Sequence, residues 1–185
     1  MSSYKLLAIS GSLRSESYNS KLLKAFSLCA QSGTEIELVT ISDIPLFNED
    51  DEVRFPAQVS ALKKKIEQAD GILIATPEYN RGIPGVLKNT IDYTSRPWGK
   101  NSWKGKPVFV ASVSLGAIAG ALAHYELKKV LIYLDAHVLG QPEFFMGGAA
   151  GKFDENGSLT DDSTKEYITS ALTVFQNHID TFRNH

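Results

Sequence analysis

The feature that most constrains the fold is a repeated alternation of short apolar runs with longer amphipathic segments. Uninterrupted apolar runs are typical of strands buried on both faces of a parallel sheet, whose neighbouring strands need helical crossovers. The predicted strands cover residues 4–10, 35–40, 71–76, 107–114 and, as two pieces of a fifth strand, 137–139 and 143–146. The sequence therefore predicts an α/β fold with helices on both faces of a five-stranded parallel sheet.

The segments between these strands carry apolar residues at helical spacing. We expect the first helix to begin near Asn19, a residue type favoured at N-caps, and the last to cover about residues 161–183. A helix over residues 118–134 has apolar residues on most of its sides. We therefore expect this helix to pack one face on the sheet and another on a partner subunit.

Length and charge limit the domain organisation and the partners. A chain of 185 residues matches one domain of common size, so residues 1–185 are assigned to a single domain. With 19 basic and 21 acidic residues the net charge is −2, which disfavours a nucleic-acid partner. No apolar run reaches the length of a membrane span, and the single Cys29 suits a reducing compartment. We expect a cytoplasmic protein with no membrane partner.

The loop after the first strand carries the strongest functional signal. For five strands we expect the order 2-1-3-4-5, in which ligands bind beyond the carboxyl ends of the strands, at the loops after strands 1, 3 and 4. Hydroxyls, an amide and a guanidinium lie there directly before a helix N-terminus, which favours an anion. The candidates are Ser10, Ser12, Arg14, Ser17, Tyr18, Asn19 and Ser20. A Ser-rich turn is also a common helix entry, but Arg14 suits phosphate oxygens and has no capping role.

Missing motifs narrow the choice of phosphate ligand. The loop lacks the Lys of a nucleoside-triphosphate loop, and its single Gly11 excludes the G-x-G-x-x-G pattern of a dinucleotide loop. Hydroxyls and an Arg suit a monophosphate, and FMN is a common cofactor of that kind in this strand order.

The loops after strands 3 and 4 hold candidates for contacts with a flat ring. Prolines and glycines fix an unusual backbone path after strand 3 and leave polar groups free, although a tight turn with a surface Tyr79 is the alternative. The small residues after strand 4 permit close approach by a planar ligand or by a neighbouring helix. The candidates are Pro77, Glu78, Tyr79, Asn80, Ser114 and Gly116.

Three segments together resemble the NADPH-dependent FMN reductase family, which includes quinone, azo-dye and chromate reductases. They are residues 9–14 with Ser17 and Asn19, residues 76–80 and residues 84–92, within a similarity from about residue 4 to about residue 180. The resemblance implies a flavodoxin-like three-layer fold, FMN as cofactor and NADPH or NADH as co-substrate. It also implies a homodimer or homotetramer with a neighbouring subunit close to the flavin.

The resemblance also assigns roles to individual residues. It implies that Ser12, Arg14, Ser17 and Asn19 hold the FMN phosphate, that residues 77–80 line the isoalloxazine ring, and that Ser114 and Gly116 lie near its far edge. The chain departs from many members at Leu122 and Lys128, where those members carry Arg. The preference for NADPH or NADH and the tetramer contacts are therefore left open.

The expected activity follows from the flavin, which carries hydride chemistry itself, so no catalytic side chain is predicted. We expect an NAD(P)H oxidoreductase that reduces quinones, and by extension free flavin, chromate or azo compounds, by ping-pong two-electron transfer. Arg81 is a candidate for attracting the donor's phosphate or an anionic acceptor, and a solvated loop Arg is the alternative. Trp98 and Trp103 are candidates for the acceptor pocket or an oligomer interface.

Two other functions and a metal site are disfavoured. A flavodoxin-type electron carrier usually has an acidic surface and an uncharged phosphate loop, unlike this near-neutral chain with Arg14. A Rossmann dehydrogenase, with Asp43 on the ribose, lacks its glycine motif. No metal is predicted, because the histidines lack the spacing of a shared ligand set. These histidines are His124, His137, His178 and His185.

Overall fold

The sheet lies in the middle of the molecule, and the predicted binding loops follow the carboxyl ends of its strands. The computed structural model describes residues 3–183, and His185 lies outside them. The strands are β1 (Tyr4–Ser10), β2 (Thr34–Val39), β3 (Gly71–Thr76), β4 (Pro107–Val113), β5 (His137–Val138) and β6 (Phe144–Met146). Their order is β2-β1-β3-β4-β5, with parallel pairing throughout, which confirms the predicted order. β5 pairs with the start of β4 and β6 with its end, so the two predicted pieces share the fifth position.

Helices cover both faces of this sheet. They are α1 (Tyr18–Cys29), α2 (Ala57–Gln68), α3 (Gly85–Thr94), α4 (Ala121–Tyr133) and α5 (Asp162–Arg183). One apolar core joins the sheet to α1 and α5, and the other joins it to α2, α3 and α4. This is the predicted three-layer, flavodoxin-like arrangement. None of the helices between residues 3 and 183 is long and apolar enough to cross a membrane.

The reversal of strand order places the loop after β1 beside the loop after β3. The N–H of Gly11 donates to the carbonyl oxygen of Ala75 at 2.8 Å, which continues the β1–β3 ladder beyond the last residue of β1. A Cβ on Gly11 would lie 3.0 Å from Leu87 Cδ2 and 3.3 Å from Pro77 Cδ. The absence of a side chain therefore lets the two loops approach each other closely.

The predicted N-cap of the first helix and the predicted start of the helix over residues 118–134 were wrong. Ser17, and not Asn19, is the N-cap of α1, since its hydroxyl accepts the N–H of Ser20 at 3.3 Å. The helix expected from residue 118 begins at Ala121, because left-handed backbone angles at Ala119 (φ 56°) and Gly120 (φ 78°) end the preceding turn.

The two tryptophans have different environments. Trp103 is fully buried, and its Nε1–H donates to Thr94 Oγ1 at 2.9 Å, so it lines neither an acceptor pocket nor an interface. Trp98 is 82% exposed. It lines an apolar cleft with Tyr133 and Leu134, near the carboxyl end of α4.

Candidate functional site

The loop after β1 forms a cluster of hydroxyls at the first turn of α1. Ser20 Oγ donates to Ser10 Oγ at 2.9 Å, and the Ser12 N–H donates to the same oxygen at 3.4 Å. The N–H of Arg14 donates to Ser12 Oγ at 3.3 Å, while the Arg14 side chain is exposed. The structure thus brings four of the predicted phosphate residues together around one end of the helix, where free N–H groups favour an anion.

Three other predicted residues of this loop have distinct positions. Ser17 is buried as the cap of α1. Tyr18 turns toward Phe153, with ring centroids 5.8 Å apart, and packs against the core of α1 and α5. Asn19 is 4% exposed, and its Oδ1 has no hydrogen-bond partner among the described residues. An unpaired buried amide is costly, so Asn19 fits a site that supplies a polar ligand atom.

A cavity of about 360 Å³ adjoins this loop. Ser12, Arg14 and Ser20 line one side, and residues just after β2 line the other, including Thr40 and Ser42. Thr40 Oγ1 and Ser42 Oγ are hydrogen-bonded to each other at 2.8 Å. The sequence prediction did not include the loop after β2, because its hydroxyls precede no helix directly and follow no recognisable motif.

The loop after β3 makes a tight turn at its centre. The backbones of Tyr79 and Gly82 exchange two hydrogen bonds of 3.0 and 3.1 Å, and both intervening residues have positive φ, as in a type I′ turn. Those residues are Asn80 (φ 51°) and Arg81 (φ 67°). The Tyr79 side chain is 51% exposed beside them, so the ring and the amide of this turn face solvent. A left-handed conformation is strained for Arg, and such strain is common at functional sites. This backbone conformation therefore favours a functional role for the Arg81 side chain.

Glu78 turns its carboxylate toward α4. Its Oε2 accepts the N–H groups of Leu122 at 3.0 Å and Ala123 at 3.2 Å, and its Oε1 lies 3.3 Å from Arg81 Nη1. This carboxylate therefore caps a helix that begins 43 residues later in the chain. The adjacent Pro77 is half-buried and packs over Gly11.

The loop after β4 faces the loop after β3 across the end of the sheet. Ser114 Oγ donates to the carbonyl oxygen of Gly116 at 3.1 Å, and residues 115–118 are exposed. Gly120 leaves room for Ser112 and Glu78, whose Cβ atoms would lie 3.2 and 3.7 Å from an added Cβ. The hydroxyl of Ser112 is fully buried without a hydrogen-bond partner among the described residues.

The face of α4 that turns away from the sheet is apolar at several positions. Ala123, His124, Leu127 and Leu131 are buried against the sheet. The exposed apolar residues are Leu122, Tyr125, Ile132 and Tyr133, preceded by Ile118. His124 is fully buried, and burial is the main reason that its pKa is lowered to about 4. In residues 3–183 no group of three or more His, Cys, Asp or Glu side chains is arranged to hold a metal ion.

Known proteins with related sequences are oxidoreductases. Residues 4–151 match the sequence family described as NADPH-dependent FMN reductase. The chain is 42% identical over 173 residues to a quinone reductase of Pseudomonas putida, with 93% of this chain and 92% of the relative covered. It is 41% identical over 171 residues to a 2-hydroxy-1,4-benzoquinone reductase of a Burkholderia species, with 92% and 93% covered.

A solved structure shares the whole architecture. FerB of Paracoccus denitrificans, described as a flavoenzyme NAD(P)H:(acceptor) oxidoreductase, superposes with a TM-score of 0.90. The two chains are 37% identical, and the match covers 97% of this chain and 98% of FerB.

Proposed function

Because the chain belongs to the NADPH-dependent FMN reductase family, we propose that it is an FMN-dependent NAD(P)H oxidoreductase whose acceptors are quinones. Relatives at 41–42% identity over nearly the whole chain are named quinone reductases, and the name of one specifies a hydroxylated benzoquinone. The observation in the structure that carries the proposal is the loop after β1. There the buried Asn19 Oδ1, which has no hydrogen-bond partner within residues 3–183, lies with the hydroxyls of Ser10, Ser12 and Ser20 around a helix N-terminus beside Arg14.

The residues of this loop suit the phosphate of FMN. Arg14 offers a charged donor fork, and Ser12 a hydroxyl, for phosphate oxygens. The side-chain amide of Asn19 can donate to the phosphate or accept from a ligand hydroxyl. Ser17 holds the first turn of α1 in place, and Gly11 brings the loop after β3 against this site. Ser10 and Ser20 fix each other's position through their mutual hydrogen bond.

The loops after β3 and β4 are the proposed walls of the ring site. We assign the ring contacts to Pro77, Tyr79 and the backbone of Asn80 on one side, and to Ser114 and Gly116 on the other. When bound, FMN supplies hydride transfer and two-electron chemistry. The protein's residues would hold the ring in place and leave one of its faces open. Both substrates would then use that face in turn, which gives ping-pong kinetics with parallel double-reciprocal plots.

Arg81 is proposed to attract the phosphate of NAD(P)H or an anionic acceptor. Its ion pair with Glu78 joins atoms 3.3 Å apart, and the Arg81 side chain is 65% exposed. Arg81 contacts Glu78 through one nitrogen, Nη1, so the other N–H groups of its guanidinium can meet an incoming anion without breaking that contact.

We propose a homo-oligomer in which the exposed apolar residues of α4 pack against a second copy. Ile132 is 63% exposed on this face. Ile132→Glu should shift the protein toward the monomer in light scattering after size exclusion. Leu28→Glu is the matched control, because Leu28 is an exposed leucine at 81% on α1. An unchanged mass for Ile132→Glu would refute this interface.

We also propose that one domain carries the function and that the protein works in the cytoplasm. Apolar residues of α5 belong to the same core as β1, β3 and α1, which the family match includes. The single Cys29 is free and half-buried, as is common in reducing compartments.

The phosphate assignment is tested by comparing FMN with riboflavin, which lacks the phosphate. Arg14→Ala should weaken FMN binding by about 10- to 100-fold, the effect of losing a charged hydrogen bond, and should leave riboflavin binding unchanged. Arg54→Ala, an exposed Arg after β2, is the control and should bind both flavins like the wild type. Fluorescence titration measures both affinities. Equal FMN affinity in Arg14→Ala and wild type would overturn the assignment.

The reaction is tested by the absorbance of NADPH and NADH with and without benzoquinone. Oxidation of either nucleotide that depends on FMN and is accelerated by benzoquinone is expected. A protein that binds FMN but oxidises neither nucleotide would be an electron carrier instead.

A further inference from the structure

One carboxylate joins the two loops that we propose as walls of the ring site. Glu78 belongs to the loop after β3, and the N–H groups that it accepts, those of Leu122 and Ala123, follow directly on the loop after β4. Its side chain is only 12% exposed. The link is therefore charge-assisted and largely shielded from water, which makes it stronger than an exposed contact.

The start of α4 depends on this distant residue. Gly120 occupies the N-cap and has no side chain to offer, and the first turn of α4 contains no acidic residue. Helix N-termini need an acceptor for their free N–H groups and are stabilised by negative charge. Glu78 supplies both from 44 and 45 residues away in the sequence.

A second carboxylate fixes the other end of the same loop. Glu126, one turn further along α4, accepts the N–H of Ile83 at 2.9 Å. Gly82 makes room for it, since a Cβ there would lie 2.8 Å from Glu126 Oε2. α4 therefore binds the loop after β3 on both sides of the turn that presents Tyr79.

We propose that Glu78 is a positioning residue for the flavin reaction, and that its carboxylate fixes the distance between residues 77–83 and residues 114–120. This inference rests on the proposed function of the site. Glu78 acts through the backbone of α4 and through the neighbouring Tyr79, and its carboxylate oxygens are committed to two N–H groups and to Arg81. Glu126 supports the same geometry from the far side of the turn.

The link itself is tested in the apo-protein by amide hydrogen exchange. Glu78→Ala should speed exchange of the Leu122 and Ala123 amides by about 10-fold or more, because they lose a charged acceptor. Glu78→Gln keeps an oxygen acceptor and should retain most of the protection. Glu37→Gln, which removes one charge from the exposed Glu37–Lys65 pair, is the matched control and should leave both amides unchanged. Unchanged exchange in Glu78→Ala would overturn the inference.

The positioning role is tested by flavin affinity. Glu78→Ala should weaken FMN and riboflavin by the same factor, about 10-fold, because the loss concerns the ring walls and not the phosphate. Glu78→Gln should restore both affinities to near the wild-type values. Loss of FMN affinity alone, or wild-type affinity for both flavins, would refute the role.

Further measurements distinguish a variant that does not fold, a wrong proposed function and a wrong role for Glu78. Glu78→Asp withdraws the carboxylate by one methylene while keeping its charge, and it replaces the alanine variant, with the same expected results, if that variant does not fold. A wild-type protein that binds neither flavin would overturn the proposed function and with it the role of Glu78 in the reaction. The exchange experiment needs no flavin and reads the link alone.

Discussion

His124 should make the stability of the protein depend on pH between about 7 and 4. Its ring is fully buried on the inner side of α4, 4.5 Å from the ring centroid of Phe145, and neither nitrogen has a hydrogen-bond partner among the described residues. Burial is the main cause that lowers the pKa of His124 to about 4, with a further lowering by Lys128 and an opposing effect of Glu143. The folded protein therefore favours the neutral ring.

The magnitude follows from proton linkage. The unfolded chain binds a proton at His124 near pH 6.5, while the folded chain binds it near pH 4. The stabilising effect of the neutral ring is complete above pH 6.5 and is lost as the pH falls toward 4. One pKa unit corresponds to about 1.4 kcal/mol, so the total loss is about 3 kcal/mol, of which about 2 kcal/mol appears between pH 7.5 and pH 5.

Urea unfolding of the apo-protein at these two pH values measures the effect. His124→Phe removes the titrating group and places another aromatic ring against Phe145, so its loss of stability between pH 7.5 and 5 should be about 2 kcal/mol smaller than that of the wild type. His124→Gln does not titrate but keeps a buried polar group. It should show the same reduced pH dependence and a lower stability at both pH values.

The comparison of the variants with the wild type cancels the pH-dependent contributions of groups that do not interact with His124. At pH 7.5, His124→Phe should be at least as stable as the wild type, because it buries no unpaired nitrogen. If the wild type and His124→Phe lose the same free energy of unfolding between pH 7.5 and 5, the buried neutral histidine is not the cause.

Three further substitutions test the packing around the site by urea unfolding at neutral pH. Gly11→Ala should destabilise by about 1–3 kcal/mol, because the added methyl overlaps neighbouring side chains, whereas Gly85→Ala has nothing within 4 Å and should cost nothing. Equal effects of the two would contradict the close approach of the loops. Ser17→Ala should cost about 1 kcal/mol as a lost N-cap, and no loss would mean that another group caps α1. Trp103→Phe should destabilise by about 1–3 kcal/mol, because it loses the hydrogen bond to Thr94 and leaves a cavity, and it should leave flavin affinity unchanged. Weaker flavin binding would show that Trp103 contributes to the flavin site after all.

The strands could be predicted closely because burial alone defines them. β3 begins and ends at the predicted residues, since every one of its side chains is buried and Pro77 follows directly. The boundaries of β2 shifted by one residue, because this edge strand contains only exposed and half-buried residues and no fully buried one. The sequence predicts β5 and β6 as two pieces of a fifth strand. Their pairing with the start and the end of β4 explains why both occupy the fifth position in the sheet.

Helix starts were harder to predict because they depend on single turns. Ser17 and Asn19 are both good N-caps by residue type, and the choice between them depends on which side chain reaches the Ser20 N–H. At α4, apolar residues continue from residue 118 without a break in the pattern, so the left-handed Ala119 and Gly120 left no signal in the periodicity.

The grouping of polar side chains in the loop after β1 could be predicted because these residues are neighbours in the sequence. The other residues that line the adjoining cavity could not be predicted, because they are distant in the sequence. Thr40 and Ser42 reach the loop after β1 only through the pairing of β1 with β2. The bonds between the Glu78 carboxylate and the N-terminus of α4 could not be predicted either, because nothing in the sequence connects this residue with a helix that begins more than forty residues later.

The proposed role of Glu78 agrees with the geometry of the sheet. β3 and β4 are paired up to Thr76 and Ser112, and adjacent strands lie about 4.8 Å apart. The proposed ring site between the loop after β3 and the loop after β4 would have to admit a tricyclic ring, which is wider than that spacing. The two loops would then diverge beyond Thr76 and Ser112, where the β3–β4 ladder of the described residues ends. A carboxylate that belongs to one loop and accepts the first N–H groups after the other fixes that separation at the point where the sheet no longer does.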